Sequence, residues 1–166
     1  MELLIDRIKS PVGDVLIVSD GRRLRALDFW DYEERMHRLL RLHYREYSLR
    51  PASNPAGLST LVDRYMQGDL GVIDAIPVQT GGTPFQRAVW AALRTIAPAT
   101  TLSYGALAAR IGRPSAVRAV GLANGANPVG IVVPCHRVIG KDGSLTGYGG
   151  GIARKRWLLN HEGVAI

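Results

Sequence analysis

At Gln79-Thr80-Gly81-Gly82 the chain loses its hydrophobic periodicity, and beyond that point its acidic residues almost vanish. The break sets a domain boundary, with a supporting unit expected over residues 1–80 and a second unit over 81–166. Met1 to Thr83 carries 11 Lys/Arg against 12 Asp/Glu, whereas Pro84 to Ile166 carries 10 against 2. The formal net charge of +7 therefore belongs to the second half. A globular chain of 166 residues, 46% of them apolar, has enough material for a real core.

The first half opens with three strand-like segments, Leu3 to Ile8, Val15 to Ser19 and Leu24 to Trp30. Pro11-Val12-Gly13-Asp14 and Asp20-Gly21-Arg22-Arg23 separate them with turn chemistry, which predicts an antiparallel meander. Tyr32, Met36, Leu39, Leu40 and Tyr44 then recur at helical spacing. His37 and His43 stand six apart, off a common helical face, and read as surface histidines rather than metal ligands. A loop over Pro51 to Gly57, a helix over Leu58 to Met66 and a short strand over Val72 to Ile76 complete this half, where nothing looks catalytic. The fold class expected is α+β: a small antiparallel sheet with helices, then a mainly helical unit.

The second half begins with a helix start signal, Thr83 as N-cap, Pro84 at the first helical position and Gln86 closing a capping box. Val89, Trp90, Leu93 and Ile96 continue that helix. Ser103 caps a second helix, Tyr104 to Ile111; Gly112-Arg113-Pro114 turns the chain; Ser115 to Ala123 forms a third. Two short helices across a glycine-containing turn make a helix-turn-helix. The second of them carries Ala116, Ala119, Gly121 and Ala123, small enough for close backbone approach to an internal neighbour or to DNA, with Arg118 as the one long cation among them. The charge of this half favours DNA.

Ile131-Val132-Val133-Pro134-Cys135-His136-Arg137-Val138 holds the only cysteine. Its β-branched run predicts a buried strand that delivers the thiol to its end. A lone intracellular cysteine is often just a small buried hydrophobe, but an adjacent imidazole and cation favour thiolate, the attacking species. In a continuing strand Cys135 and His136 would face opposite ways, so either the backbone turns at Pro134 or a water joins sulfur and imidazole. Of the two carboxylates after Thr83, Asp142 suits the Asp142-Gly143 turn, which leaves Glu162 to orient the histidine. Thr146 to Gly151 is glycine-rich without a phosphate-loop pattern, and Tyr148 in it could wall a planar pocket. The last helix, Ala153 to His161, is expected to set out Arg154, Lys155 and Arg156 on one turn and to give Trp157, Leu158 and Leu159 to the core.

One thiol allows neither an internal disulfide framework nor a cysteine-rich zinc site, and suits a reducing, cytoplasmic setting. Met1 to Ser10 alternates like a strand, without the apolar core of a signal peptide, and no apolar run approaches spanning length.

The chain resembles the bacterial O6-alkylguanine-DNA alkyltransferases over essentially its whole length. The resemblance rests on Pro134-Cys135-His136-Arg137-Val138, supported by Gly82 to Gln86, Arg118-Ala119-Val120-Gly121, Asn127-Pro128, Gly147-Tyr148 and His161-Glu162-Gly163. It implies a ribonuclease-H-like first domain and irreversible, single-use transfer of an alkyl group from O6-alkylguanine, and O4-alkylthymine, in duplex DNA. Cys135 would accept the alkyl group, with His136 acting through a water, Glu162 holding the imidazole, Asn127 bracing the helix-turn-helix, and Tyr104 pressing on a phosphate and protonating the leaving guanine. Arg118 would fill the gap left by a flipped nucleotide, with Tyr104, Ser115, Ala116, Ala119 and Asn124 as further DNA contacts in the minor groove. Tyr148, Gly149, Val138 and Pro134 would line the base pocket. Gly149 stands where some relatives carry a side chain, which bears on pocket size. No metal or organic cofactor is expected, and the free protein is expected to be a monomer, binding DNA singly or cooperatively. Two other readings are a non-catalytic helix-turn-helix or damage-sensing protein, and a cysteine hydrolase.

Overall fold

In the computed structural model, which describes residues 1–166, the three opening strands pair as turn chemistry dictates. Strands β1 (Glu2–Ile8), β2 (Val15–Ser19) and β3 (Leu24–Phe29) run antiparallel, with Ile8 opposite Val15 and Val15 opposite Phe29. Helix α1 (Glu33–Tyr44) follows and buries Met36, Leu39 and Leu40. Met36 and Leu40 close over Leu3, Leu16, Val18 and Ala26, the face that strand alternation presents on one side. The whole of β2 is buried, so its opposite face, with Val15 and Ile17, is covered too. Fully desolvating each such side chain is worth about 1.5–3 kcal/mol.

Two features of this unit depart from expectation. A fourth strand, β4 (Ser48–Pro51), adds parallel to β1, giving the order β3-β2-β1-β4. It is four residues long and ends in a proline, which an edge strand tolerates, so it carries little periodic signal. Beyond helix α2 (Leu58–Met66), the strand expected over Val72 to Ile76 is a 3₁₀ turn, Leu70–Ala75, packed on α2. Val72 and Ile73 are buried there, so their branched side chains mark burial rather than extended backbone.

The compact units are Met1–Gly82 with Pro128–Val132, and Thr83–Asn127 with Val133–Ile166. Pro128–Val132 joins the first because the β3 edge captures it: Leu27 N–H donates to the Pro128 carbonyl (3.1 Å) and Gly130 N–H to the Leu27 carbonyl (3.1 Å).

The second unit comprises helices α3 (Pro84–Leu93), α4 (Tyr104–Arg110), α5 (Val117–Gly125) and α6 (Ile152–His161) with two short parallel strands, β5 (Leu102–Ser103) and β6 (Val138–Ile139). The capping box forms: Gln86 N–H donates to Thr83 Oγ1 (3.1 Å) and Thr83 N–H to Gln86 Oε1 (3.0 Å). Ser103 caps α4 through Ala106 N–H (3.0 Å). Val89, Trp90, Leu93, Leu107, Val120 and Ala123 are buried where α3, α4 and α5 pack together. The Trp90 indole N–H donates to the Ala123 carbonyl (2.8 Å) and fixes α5 on α3. No helix is long and apolar enough to cross a membrane.

Candidate active site and nucleic-acid interface

The expected strand before the cysteine does not form. After Gly130 the chain turns: Ile131 takes φ 69°, left-handed backbone that a β-branched residue enters only when its surroundings enforce it. Cys135–Arg137 is a single 3₁₀ turn entered from Pro134 at φ −82° and ψ 65°, so the backbone turns at the proline and the alternation that separated Cys135 from His136 does not apply. Asn127 holds the approach, its Nδ2 donating to the Val133 carbonyl (2.8 Å). Cys135 is buried, with 8% of the residue exposed, so it is shielded from the bulk surface.

The two residues that follow Cys135 enter a charged cluster with no exposed member. Glu162, the first residue past α6, receives His136 Nε2 at 2.9 Å, Arg137 Nε at 2.8 Å and Arg137 Nη2 at 2.8 Å. The third guanidinium nitrogen, Nη1, donates to the Ile96 carbonyl. This is bidentate pairing in a buried site, where an unmatched charge is costly. Burial works to raise the Glu162 pKa, but the bonds from Arg137 and His136 overcome it and hold the carboxyl well below the usual carboxylate range. Burial pushes the His136 imidazole below its ordinary value, and Arg137 and Lys155 add to that against the pull of Glu162. A neutral ring with an anionic partner at Nε2 carries its proton there, as a donor to Glu162. Its other nitrogen, Nδ1, is then a bare acceptor, buried and without a protein hydrogen-bond partner.

The sequence reading placed Arg137 beside the sulfur as a thiolate-favouring cation, but its guanidinium faces Glu162. The buried cation coupled to Cys135 is Lys155, expected on one turn of α6 with Arg154 and Arg156 and found fully buried. The signal was available: Lys155, Leu158, Leu159 and Glu162 follow helical spacing, and that stripe faces inward. Trp157, expected in the core, is half-buried and stacks on His161 with ring centroids 4.6 Å apart.

Among the expected pocket residues, Pro134 and Val138 are buried, Tyr148 is half-buried and Gly149 is exposed. The turn ahead of them is tight: Gly140 N–H donates to the Ser144 carbonyl (2.8 Å), and a Cβ on Gly140 would come within 2.6 Å of Ser144 Oγ. Tyr104 reaches the same loop, its hydroxyl 2.9 Å from Thr146 Oγ1.

The outer face of α4 and α5 is open. Arg118, Ser115 and Ala119 are exposed, Ala116 is half-buried, and Leu122, one turn beyond Arg118, is 73% exposed. Tyr104 packs beside α5, its ring 3.8 Å from where a Gly121 Cβ would stand. With Ser103, Gly105, Ala106, Val117 and Lys141 it lines an open cleft of about 460 Å³. Asn124, expected on this face, is instead buried at 5% exposure with its Nδ2 directed at the Cys135 carbonyl (3.5 Å). Its position on α5, four residues after buried Val120, places it on the inward face.

Comparisons with known proteins bear on the same residues. Residues 4–80 match the family described as 6-O-methylguanine DNA methyltransferase, ribonuclease-like domain, and residues 84–164 its DNA binding domain. The methylated-DNA–protein-cysteine methyltransferase of Salmonella typhimurium is 54% identical, over 100% of this chain and 99% of that one. The crystal structure of Mycobacterium tuberculosis O6-methylguanine methyltransferase superposes with TM-score 0.79 at 40% identity, covering 96% of this chain and 92% of the other. Mycobacterium tuberculosis OGT in complex with DNA gives TM-score 0.78 at 40% identity, covering 98% and 92%.

Proposed function

The chain belongs to the 6-O-methylguanine DNA methyltransferase family, and on that premise we propose that it repairs duplex DNA by moving the alkyl group of O6-alkylguanine, and of O4-alkylthymine, onto Cys135. The observation that carries this reading is the buried Cys135-His136-Glu162 arrangement beside an open, basic helix-turn-helix.

Glu162 fixes the His136 tautomer, so Nδ1 is the base. A water between Nδ1 and the thiol passes the thiol proton to the ring. The sulfur electron pair then forms the S–C bond as the alkyl C–O6 bond breaks, and those electrons pass into the guanine ring. Tyr104 gives the guanine a proton and recovers one from the relay, so the thiol proton ends on the released base. The product is a thioether with no acyl carbon for water to attack, hence one transfer per molecule.

The thiol of a residue only 8% exposed cannot reach an alkyl group inside a stacked duplex, so the nucleotide is flipped out to meet it. Arg118, on the exposed face of α5, fills the vacated space while the small residues Ala116 and Ala119 let the helix lie close in the minor groove. Ser115 adds a contact at the helix start. Asn127 braces the cysteine turn, and Tyr148, Gly149, Val138 and Pro134 bound the base pocket. Asn124 acts from inside, through the Cys135 carbonyl, rather than on DNA.

The test is to react the protein with duplex DNA carrying one O6-methylguanine and map the methyl group by peptide mass. The expected result is methyl on Cys135 alone. Normal DNA binding without methyl on Cys135 would instead favour a damage-sensing protein.

A further inference from the structure

Tyr104 is held by more than the helix it opens. Its phenol oxygen lies 2.9 Å from Thr146 Oγ1, on the loop between β6 and α6. Both sides of that contact are fixed to the same short strand. β5 pairs in parallel with β6, Leu102 beside Val138 and Ser103 beside Ile139, so Tyr104 leaves a strand tied to the backbone that follows the cysteine turn. Its ring also lies 3.8 Å from where a Gly121 Cβ would stand, so α5 limits its swing. On the loop side, the Thr146 carbonyl accepts from Lys155 Nζ (2.9 Å), which donates to the Val138 carbonyl (2.6 Å) as well. The two hydroxyls therefore meet on a rigid frame.

An exposed pair of hydroxyls is by itself worth little, because water offers each of them the same bonds. The chemistry of this phenol raises its value. A tyrosine has one proton, so when that proton points at a leaving base the oxygen can hold Thr146 only as an acceptor. Thr146 is then the donor, to the atom on which negative charge grows as the phenol proton departs. A hydrogen bond to a charged oxygen is about twice as strong as one between neutral groups, so this bond tightens as the reaction proceeds. Stabilisation that appears only there raises the rate and leaves binding unchanged.

We propose that Thr146 is a positioning residue for the proton donor: its hydroxyl donates to the Tyr104 oxygen, turns the single phenol proton toward the leaving base, and stabilises the phenolate formed when that proton moves. Thr146 keeps its own proton throughout. The proposal rests on the reading of Tyr104 as the acid that serves the departing guanine.

Thr146→Val keeps the branched shape and removes the hydroxyl, while Thr146→Ser keeps the hydroxyl and removes the methyl. Thr146 is exposed, so both variants should melt with the wild type. Single-turnover transfer from an O6-methylguanine duplex to an excess of the full-length protein is followed in wild type, in both variants, in Tyr104→Phe and in the double variant Tyr104→Phe/Thr146→Val. Each gives a maximal rate and a half-saturating protein concentration. Thr146→Val should lower the maximal rate about tenfold, the difference between a charged and a neutral hydrogen bond, and leave half-saturation unchanged. Thr146→Ser should bring the rate back to within about twofold of wild type, since the donor is restored. The double variant should be no slower than Tyr104→Phe, because a residue that acts through the phenol has nothing to act on once that hydroxyl is gone. A wild-type rate in Thr146→Val beside a slow Tyr104→Phe overturns the proposal. So does a slow Thr146→Val that Thr146→Ser does not match in recovery, or whose loss adds in full to that of Tyr104→Phe. A Thr146→Val that melts well below wild type makes the hydroxyl a structural group and overturns it too. Failure of the underlying reading has its own signature: a wild-type rate in Tyr104→Phe removes Tyr104 as the acid, wild type that gains no methyl on Cys135 removes the acceptor, and either result withdraws the role of Thr146 with it.

Discussion

Glu162 is the residue on which the site's electrostatics turn, since one carboxylate receives both the imidazole and the guanidinium. In Glu162→Gln, Arg137 keeps its burial and loses its countercharge, which costs about 3 kcal/mol by comparison with other broken buried pairs. The melting temperature should fall by roughly 10 °C. Alkyl transfer should slow more than DNA binding, because the Nε2–H tautomer of His136 is no longer enforced by an anion. Unchanged transfer by Glu162→Gln would remove Glu162 from the relay. The sign of the pH dependence follows from the same groups. His136 and Glu162 both have lowered folded-state values, so the unfolded chain binds more protons as acid is added. Wild-type stability should therefore decline below about pH 6.5 through His136, and decline further below about pH 4.5 through Glu162. The share of the second decline that belongs to Glu162 should be lost in Glu162→Gln, leaving the share from Asp6 and Asp20, as a denaturant series at several pH values would record.

The α4–α5 pair was legible in the sequence, with ends shifted by one or two residues, because the Ser103 cap, a glycine turn and spaced small residues are local signals, while β2 and α2 match their expected bounds residue for residue. Arg118 stands on its exposed face, clear of the buried cluster. Arg118→Ala should weaken repair of duplex DNA about tenfold or more while leaving transfer from free O6-benzylguanine unchanged, since only a duplex has a gap to fill. Equal losses on both substrates would contradict that role. Elements that depend on partners distant in sequence were harder to read. β4 exists because β1 offers it an edge, and Pro128–Val132 turns aside because β3 captures it. The apolar run before Cys135 resembles a strand for the same reason that the Val72–Ile73 pair does: branched side chains signal burial, and extended backbone is only one way to be buried. Lys155 was missed by reading three successive cations as one charged turn, although helical spacing turns the middle one inward.

For the whole molecule, charge is unevenly divided, and the structure refines how much of it faces outward. Of the ten cations after Thr83, Arg137 and Lys155 point into the site, which leaves eight toward solvent. Fewer surface cations than the count suggests still suffice for a polyanion, and binding to undamaged duplex should weaken steeply with salt as phosphate contacts displace counterions. A log–log plot of affinity against salt that is flat would exclude the basic unit as the DNA surface. Arg118→Ala should lower the slope by about one at most, since each phosphate contact contributes about that much. The central claim, that Cys135 is a single-use acceptor, is tested most directly by offering the protein an excess of O6-methylguanine duplex and counting methyl groups by intact mass. The account predicts a rise to one methyl per chain and no more, with released repair product equal to protein. No methyl gained, or repaired DNA exceeding protein by several-fold, would contradict it.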